Sequence, residues 1–134
     1  MISTKAELFD LKTRVLAEFE VDGATGEISW ASQPLEEMFG YLIPGELEGK
    51  KVEILVPDSL REVHKSHRSD YVTHPESRLM GRDKELHGQR KDGSVFPVEV
   101  VLIPGFAGPQ SSRRLVVLGI VFDMTSRQRQ GKHS

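Results

Sequence analysis

HGQRKDGSVFPVEV, residues 87–100, is the stretch on which the fold turns. Its halves alternate apolar and polar residues around Asp92-Gly93. An Asp-Gly pair between such segments is a strong hairpin signal, because the tight turn needs a positive φ that glycine takes without strain. A second run, VFDMTSRQR at 121–129, closes a β-like stretch with Asp123-Met124-Thr125. Three strands are expected around these two runs: about Lys84 to Arg90, Val95 to Ile103, and Arg113 to Phe122. Pro97 in the second implies a missing ladder bond, hence an edge position or a bulge. The near-continuous Leu, Val and Ile of the third place it at the centre of a sheet as its most buried strand. Pro104 to Ser112 reads as a Gly/Pro/Ser loop.

The N-terminal half supplies two more strands and the helices. Ala6 to Leu16 carries Leu8, Leu11 and Val15 at helical spacing. Ala17 to Val21 and Glu27 to Ala31 read as strands on either side of a turn at Asp22-Gly23 and Gly26. Ser32 is a good N-cap, Pro34 is tolerated in a first helical turn, and Gly40 is the expected C-cap of the helix between them. Tyr41 to Leu55 reads as one or two helical turns. A longer helix runs from Asp58 or Ser59 to about Tyr71, opened by a Ser59–Glu62 capping box. Its spacing puts Leu60, Val63, His64, His67 and Tyr71 on one face, expected to point inward. Val72 to Arg82 reads as a loop. The order gives an α+β fold, one antiparallel sheet of five strands with short helices packed on one face.

At 134 residues the chain is one domain, with residues 128–134 polar at its end. A net charge of -2 favours neither nucleic acid nor an anionic membrane. No run of about 18 apolar residues is available to span a bilayer. The absence of cysteine excludes disulfides, thiolate metal sites and cysteine nucleophiles, and fits a reducing cytoplasm. No Gly-x-Ser-x-Gly elbow or phosphate-binding glycine loop points to an enzyme.

The order and punctuation resemble a PAS domain, a small sensory module. The resemblance is carried by Gly26-Glu27-Ile28, Phe39-Gly40-Tyr41, Glu46-Leu47-Glu48-Gly49, and Ile54-Leu55-Val56-Pro57 followed by Arg61 and His64. Met80-Gly81, Arg90 to Ser94, Phe96 to Val100, and Asp123-Met124-Thr125 with Arg127 complete it. Ser32 stands where the family often has Asn. The resemblance implies a flanking helix at 1–14, a sensory domain at 15–127 and a tail or output linker at 128–134. It also implies a PAS-like five-stranded sheet. The function it implies is to hold a small ligand or cofactor in the sheet–helix cleft and relay occupancy to an output domain or partner. A histidine kinase of a two-component system or another effector is such an output. A homodimer is expected, and a ligand-free dimerisation module is the alternative.

In oxygen-sensing relatives a helix histidine after a Leu-x-Pro entry ligates haem iron, and the resemblance puts His64 in that place. An imidazole on an apolar helix face suits axial ligation. The competing role for His64 is structural. Leu60, Val63, His67, Tyr71 and Lys84 complete the implied cleft, Lys84 and Arg82 standing nearest to the arginine that such relatives offer to bound gas. Met38, Phe39, Phe96 and Phe122 read as core that can also line a pocket. Iron on His64 is the metal role that arises. His64 and His67 have no third ligand for zinc, which normally needs four. Flavin photochemistry of the blue-light relatives needs a cysteine that the chain lacks.

Overall fold

The computed structural model describes residues 16–82 and 84–126. The expected helix at 6–16, Leu16 apart, and the tail at 128–134 lie outside them. Six strands form one antiparallel sheet: β1 (Glu18–Asp22), β2 (Ile28–Ala31), β3 (Arg78–Met80), β4 (Leu86–Gln89), β5 (Val95–Ala107) and β6 (Arg114–Asp123). Their spatial order is β2-β1-β6-β5-β3, with β4 also paired to β5. Two α-helices, α1 (Gln33–Met38) and α2 (Arg61–Thr73), and 3-10 turns at Val52–Leu55 and Asp58–Leu60 lie between β2 and β3.

The sheet has one strand more than expected, because part of the stretch read as a loop is β3. Arg78 to Met80 pairs with Leu102 to Val100, and Leu86 to Gln89 continues along the same edge against Val98 to Val95. One edge strand is thus broken in two. Gly81 marks the break: its φ is +102°, and a Cβ there would stand 2.7 Å from the Val98 carbonyl oxygen.

β6 is central, as expected, but it is not the most buried strand. Val117 and Val121 are buried on one face, whereas Phe122 is 44% exposed on the other. Helices cover a single face of the sheet, so a central strand is buried only on alternate residues. β1, with Glu18, Phe19 and Val21 buried, sits deeper. Pro97 is on neither an edge strand nor a bulge. It lies one residue past Val98↔Asp123, the last pair of β5 with β6, so no bond to β6 is forgone there.

Ser32 caps α1 by accepting from the Leu35 amide, and it also accepts from Glu18 N and donates to the Leu16 carbonyl. A serine thus ties the helix start to β1. Gly40, at φ +80°, turns the chain after α1. The following segment packs Tyr41, Leu47, Val52 and Leu55 with Leu35 and Phe39 onto Phe19, Phe96, Val98 and Val121 of the sheet. The capping box does not form: Leu60 is the N-cap of α2 and no side chain caps it. Pro57 starts a separate 3-10 turn that consumes Ser59.

Candidate ligand cleft and its helix

Helix α2 is held mainly by polar contacts. Arg61 donates to the carbonyls of Val56 (2.9 Å) and Ile54 (3.2 Å). The Glu53 carboxylate, whose side chain is 4% exposed, accepts from His64 Nδ1 at 2.6 Å on Oε2. Arg68 reaches it as a fork, Nε to Oε2 at 3.1 Å and Nη2 to Oε1 at 3.3 Å. Such charge-assisted, bidentate bonds are the strong ones. Burial pushes the Glu53 carboxyl up, but the Arg68 and His64 hydrogen bonds outweigh it and hold it below the usual carboxylate range. At the other end Tyr71 is buried, donates to the Glu76 carbonyl, and lies under the Arg78 guanidinium at 5.3 Å. Burial is the main cause that raises the Tyr71 hydroxyl above its ordinary pKa.

This arrangement corrects the expected helix face. Leu60 and Val63 are 49% and 52% exposed, and His67 is exposed. The contacting stripe is Arg61, His64, Arg68 and Tyr71, because a buried carboxylate beneath the helix draws His64 and Arg68 toward it. Lys84 is exposed, as is Arg82. Phe122 lies on the uncovered sheet face, outside the core. Of the expected cleft residues, the structure brings His64 and Tyr71 to the contact side of α2 and leaves Leu60, Val63, His67 and Lys84 in solvent. Glu53 and Arg68 were not foreseen. An acid within Val52-Glu53-Ile54-Leu55 reads as a solvated position, and the His64/Arg68 spacing of i, i+4 was the available signal.

Between the helical segment and the sheet, the space is filled by side chains. Phe39 meets Phe96 edge-on with ring centroids 5.1 Å apart. Gly88 makes room for that contact, since a Cβ there would stand 2.8 Å from the Phe39 ring. Leu47, Val52 and Leu55 complete the layer, all buried. Haem does not fit this conformation. The His64 ring is turned to Glu53, and the volume a macrocycle needs is taken by these side chains. Flavin meets the same obstruction. No cluster of three or more His, Cys, Asp or Glu among the described residues is arranged for a metal ion.

A separate shallow groove of about 180 Å³ is lined by Gly81, Glu85, Leu86, Pro97, Val98, Glu99 and Met124. It adjoins the chain exit. There Met124 N donates to the Pro97 carbonyl at 2.9 Å. Asp123 Oδ1 accepts from the Thr125 amide (2.9 Å) and hydroxyl (2.6 Å), while its Oδ2 lies 3.8 Å from Arg90. The Arg90 guanidinium stacks on Phe96 at 3.9 Å, so the exit is joined to the core. No helix among the described residues is long and apolar enough to cross a membrane.

The family model described as PAS domain matches residues 19–126. The sensor protein FixL of Bradyrhizobium diazoefficiens is 33% identical over 110 residues, covering 81% of this chain and 20% of FixL. A probable serine/threonine-protein kinase of Dictyostelium discoideum is 39% identical over 62 residues, 46% of this chain and 4% of that kinase. The chain therefore spans a fifth or less of the length of these two curated relatives. Among solved structures, the PAS domain of a Colwellia psychrerythraea protein superposes with a TM-score of 0.70 at 19% identity, covering 92% of this chain and 99% of that one.

Proposed function

The chain belongs to the PAS domain family, and from that premise we propose that it is the sensory unit of a signalling protein. A small ligand or cofactor enters between α2 and the sheet, and its occupancy biases an attached output, such as a histidine kinase, or a partner. The observation that carries this reading is strand β5. It pairs with β3, β4 and β6 and receives the Met124 amide at Pro97. A displacement at α2 that moves Tyr71 against Arg78 of β3 thus reaches the chain exit through one strand. The shift is no larger than the ligand's affinity difference between the two states. On this reading the domain spans 15–127 and works in the cytoplasm without catalysing. Nucleic acid and membrane are not its partners.

The test is the absorption spectrum and native mass spectrum of the purified protein. A stoichiometric small molecule, seen as a bound mass or as a Soret band, is expected. With haem, His64→Ala abolishes the Soret band and His67→Ala leaves most of it, once α2 has moved to admit the ring. A colourless protein that neither carries nor binds any small molecule overturns ligand sensing.

The uncovered sheet face favours a second reading, a dimerisation module. Leu79, Ile103 and Phe122 are 45%, 40% and 44% exposed there, beside the half-buried Leu118 and Ile120. Contiguous apolar surface of this kind marks interaction sites. On this reading the protein is a homodimer by light scattering at about 100 μM, a concentration that saturates affinities near ~1 μM. Leu8→Glu with Leu11→Glu shifts it toward monomer while its circular dichroism stays folded. A wild-type monomer at that concentration refutes the dimer.

A further inference from the structure

Resting on the cleft reading above, we infer that Glu53 is a latch that holds α2 closed over the domain. Entry to the interior is then governed by the opening of this one helix rather than by a standing cavity. The two halves of the latch are anchored very differently. Glu53 sits on the Val52–Leu55 turn, whose Val52 and Leu55 belong to the core. Its partners His64 and Arg68 sit on a helix in which Tyr71 alone is buried. The fixed half is therefore part of the core, and the moving half is not. Leu60 and Val63 face solvent, so α2 gains little from apolar burial, and its attachment rests on the polar stripe and on Tyr71.

The ties converge on one short segment. Arg61 holds the carbonyls of Ile54 and Val56, and three donor groups from His64 and Arg68 meet the Glu53 carboxylate. Arg68 is confined on its other side by the β1–β2 turn, since a Cβ on Gly26 would lie 2.5 Å from its Cζ. The guanidinium is thus clamped between Gly26 and Glu53, and α2 cannot swing away until that fork releases. An element with few buried apolar contacts and a concentrated polar anchor opens locally, at a free energy below that of global unfolding. Neutralising the anchor lowers that opening cost, because hydrogen bonds to charged groups are the stronger class.

Hydrogen exchange of the full chain tests this. In the wild type, amides of residues 61–73 exchange by local opening, faster than those of β1 and β6. Glu53→Gln and Arg68→Gln each speed α2 exchange by about 10-fold or more, while β1 and β6 keep their rates. Both variants also raise the fluorescence of 1-anilinonaphthalene-8-sulfonate, as the inner face becomes accessible. If Glu53→Gln does not fold, Arg68→Gln decides, because Arg68 lies outside the core. Unchanged α2 exchange in the variants overturns the latch. So does acceleration of α2 and the sheet together, which would mark a general loss of stability. A protein that binds no small molecule while both variants still free α2 keeps the latch and refutes only the cleft reading.

Discussion

Replacing Gly119 with valine is expected to destabilise the domain by about 3 kcal/mol or more, near the upper end of what overpacking costs in a close-packed core. Gly119 sits on the inner face of β6, opposite Phe19 of β1. The Phe19 ring lies across it: a Cβ at 119 would stand 2.3 Å from Cζ, 2.5 Å from Cε1 and 2.8 Å from Cε2. Phe19 is buried and bordered by core on its other sides, so the ring cannot give way without disturbing the layer. Urea denaturation checks this as a lowered midpoint at unchanged slope. Phe19→Ala alone should cost about 3–5 kcal/mol. Combined with Gly119→Val it should cost less than the sum by about 1 kcal/mol, because the new side chain fills the vacated space. A Gly119→Val protein within about 0.5 kcal/mol of wild type, the range of an innocuous surface change, would refute the packing argument.

Glu36→Ala is expected to cost about 3 kcal/mol through hydrogen bonding rather than packing. Glu36 is 2% exposed, and its carboxylate accepts from the Gly45 and Leu47 amides, each at 3.0 Å. Alanine leaves those amides without their acceptor, and the Leu47 bond is fully buried. Leu47 is 0% exposed, so the turn that seats it in the core depends on this acid. Glu36→Gln keeps one acceptor oxygen and should fall between alanine and wild type. Exchange of the 45–49 amides should rise before that of the sheet. A wild-type denaturation midpoint for Glu36→Ala would show that water replaces the carboxylate without penalty.

Local signals were legible wherever the physics is local. The Asp92-Gly93 hairpin, the Ser32 cap with Pro34, and the turn at Gly40 depend on φ preferences and on side chains reaching their own neighbours. They stand where the residues put them. Alternation located the first N-terminal strand, turn punctuation the second, and alternation around Asp92-Gly93 with the near-continuous apolar run of 113–122 the long C-terminal pair. Strand β3 was not legible, because Arg78-Leu79-Met80 has no alternation of its own and becomes a strand only by pairing with Val100 to Leu102. The long helix was legible as a helix and misread in its facing. A stripe of Leu60 and Val63 reads as an inward face by hydrophobicity. The structure turns His64 and Arg68 inward instead, toward an acid that is distant in the chain.

The fold class and the family thus follow from sequence alone, because caps, turns and period-two patterning are encoded within a few residues of where they act. The candidate site does not. Which side of α2 faces the domain, whether Phe19 can lie on the sheet, and where the exit segment is fastened depend on contacts between distant residues. The Glu53–Arg68 pair spans 15 positions. The Phe19–Gly119 approach joins the first and last strands of the sheet, and Arg90 reaches Asp123 from the hairpin turn. A buried carboxylate gains more from the three donor groups of His64 and Arg68, whichever helix face bears them, than the helix gains by burying Leu60 and Val63. That balance exists only once the tertiary structure has removed Glu53 from water.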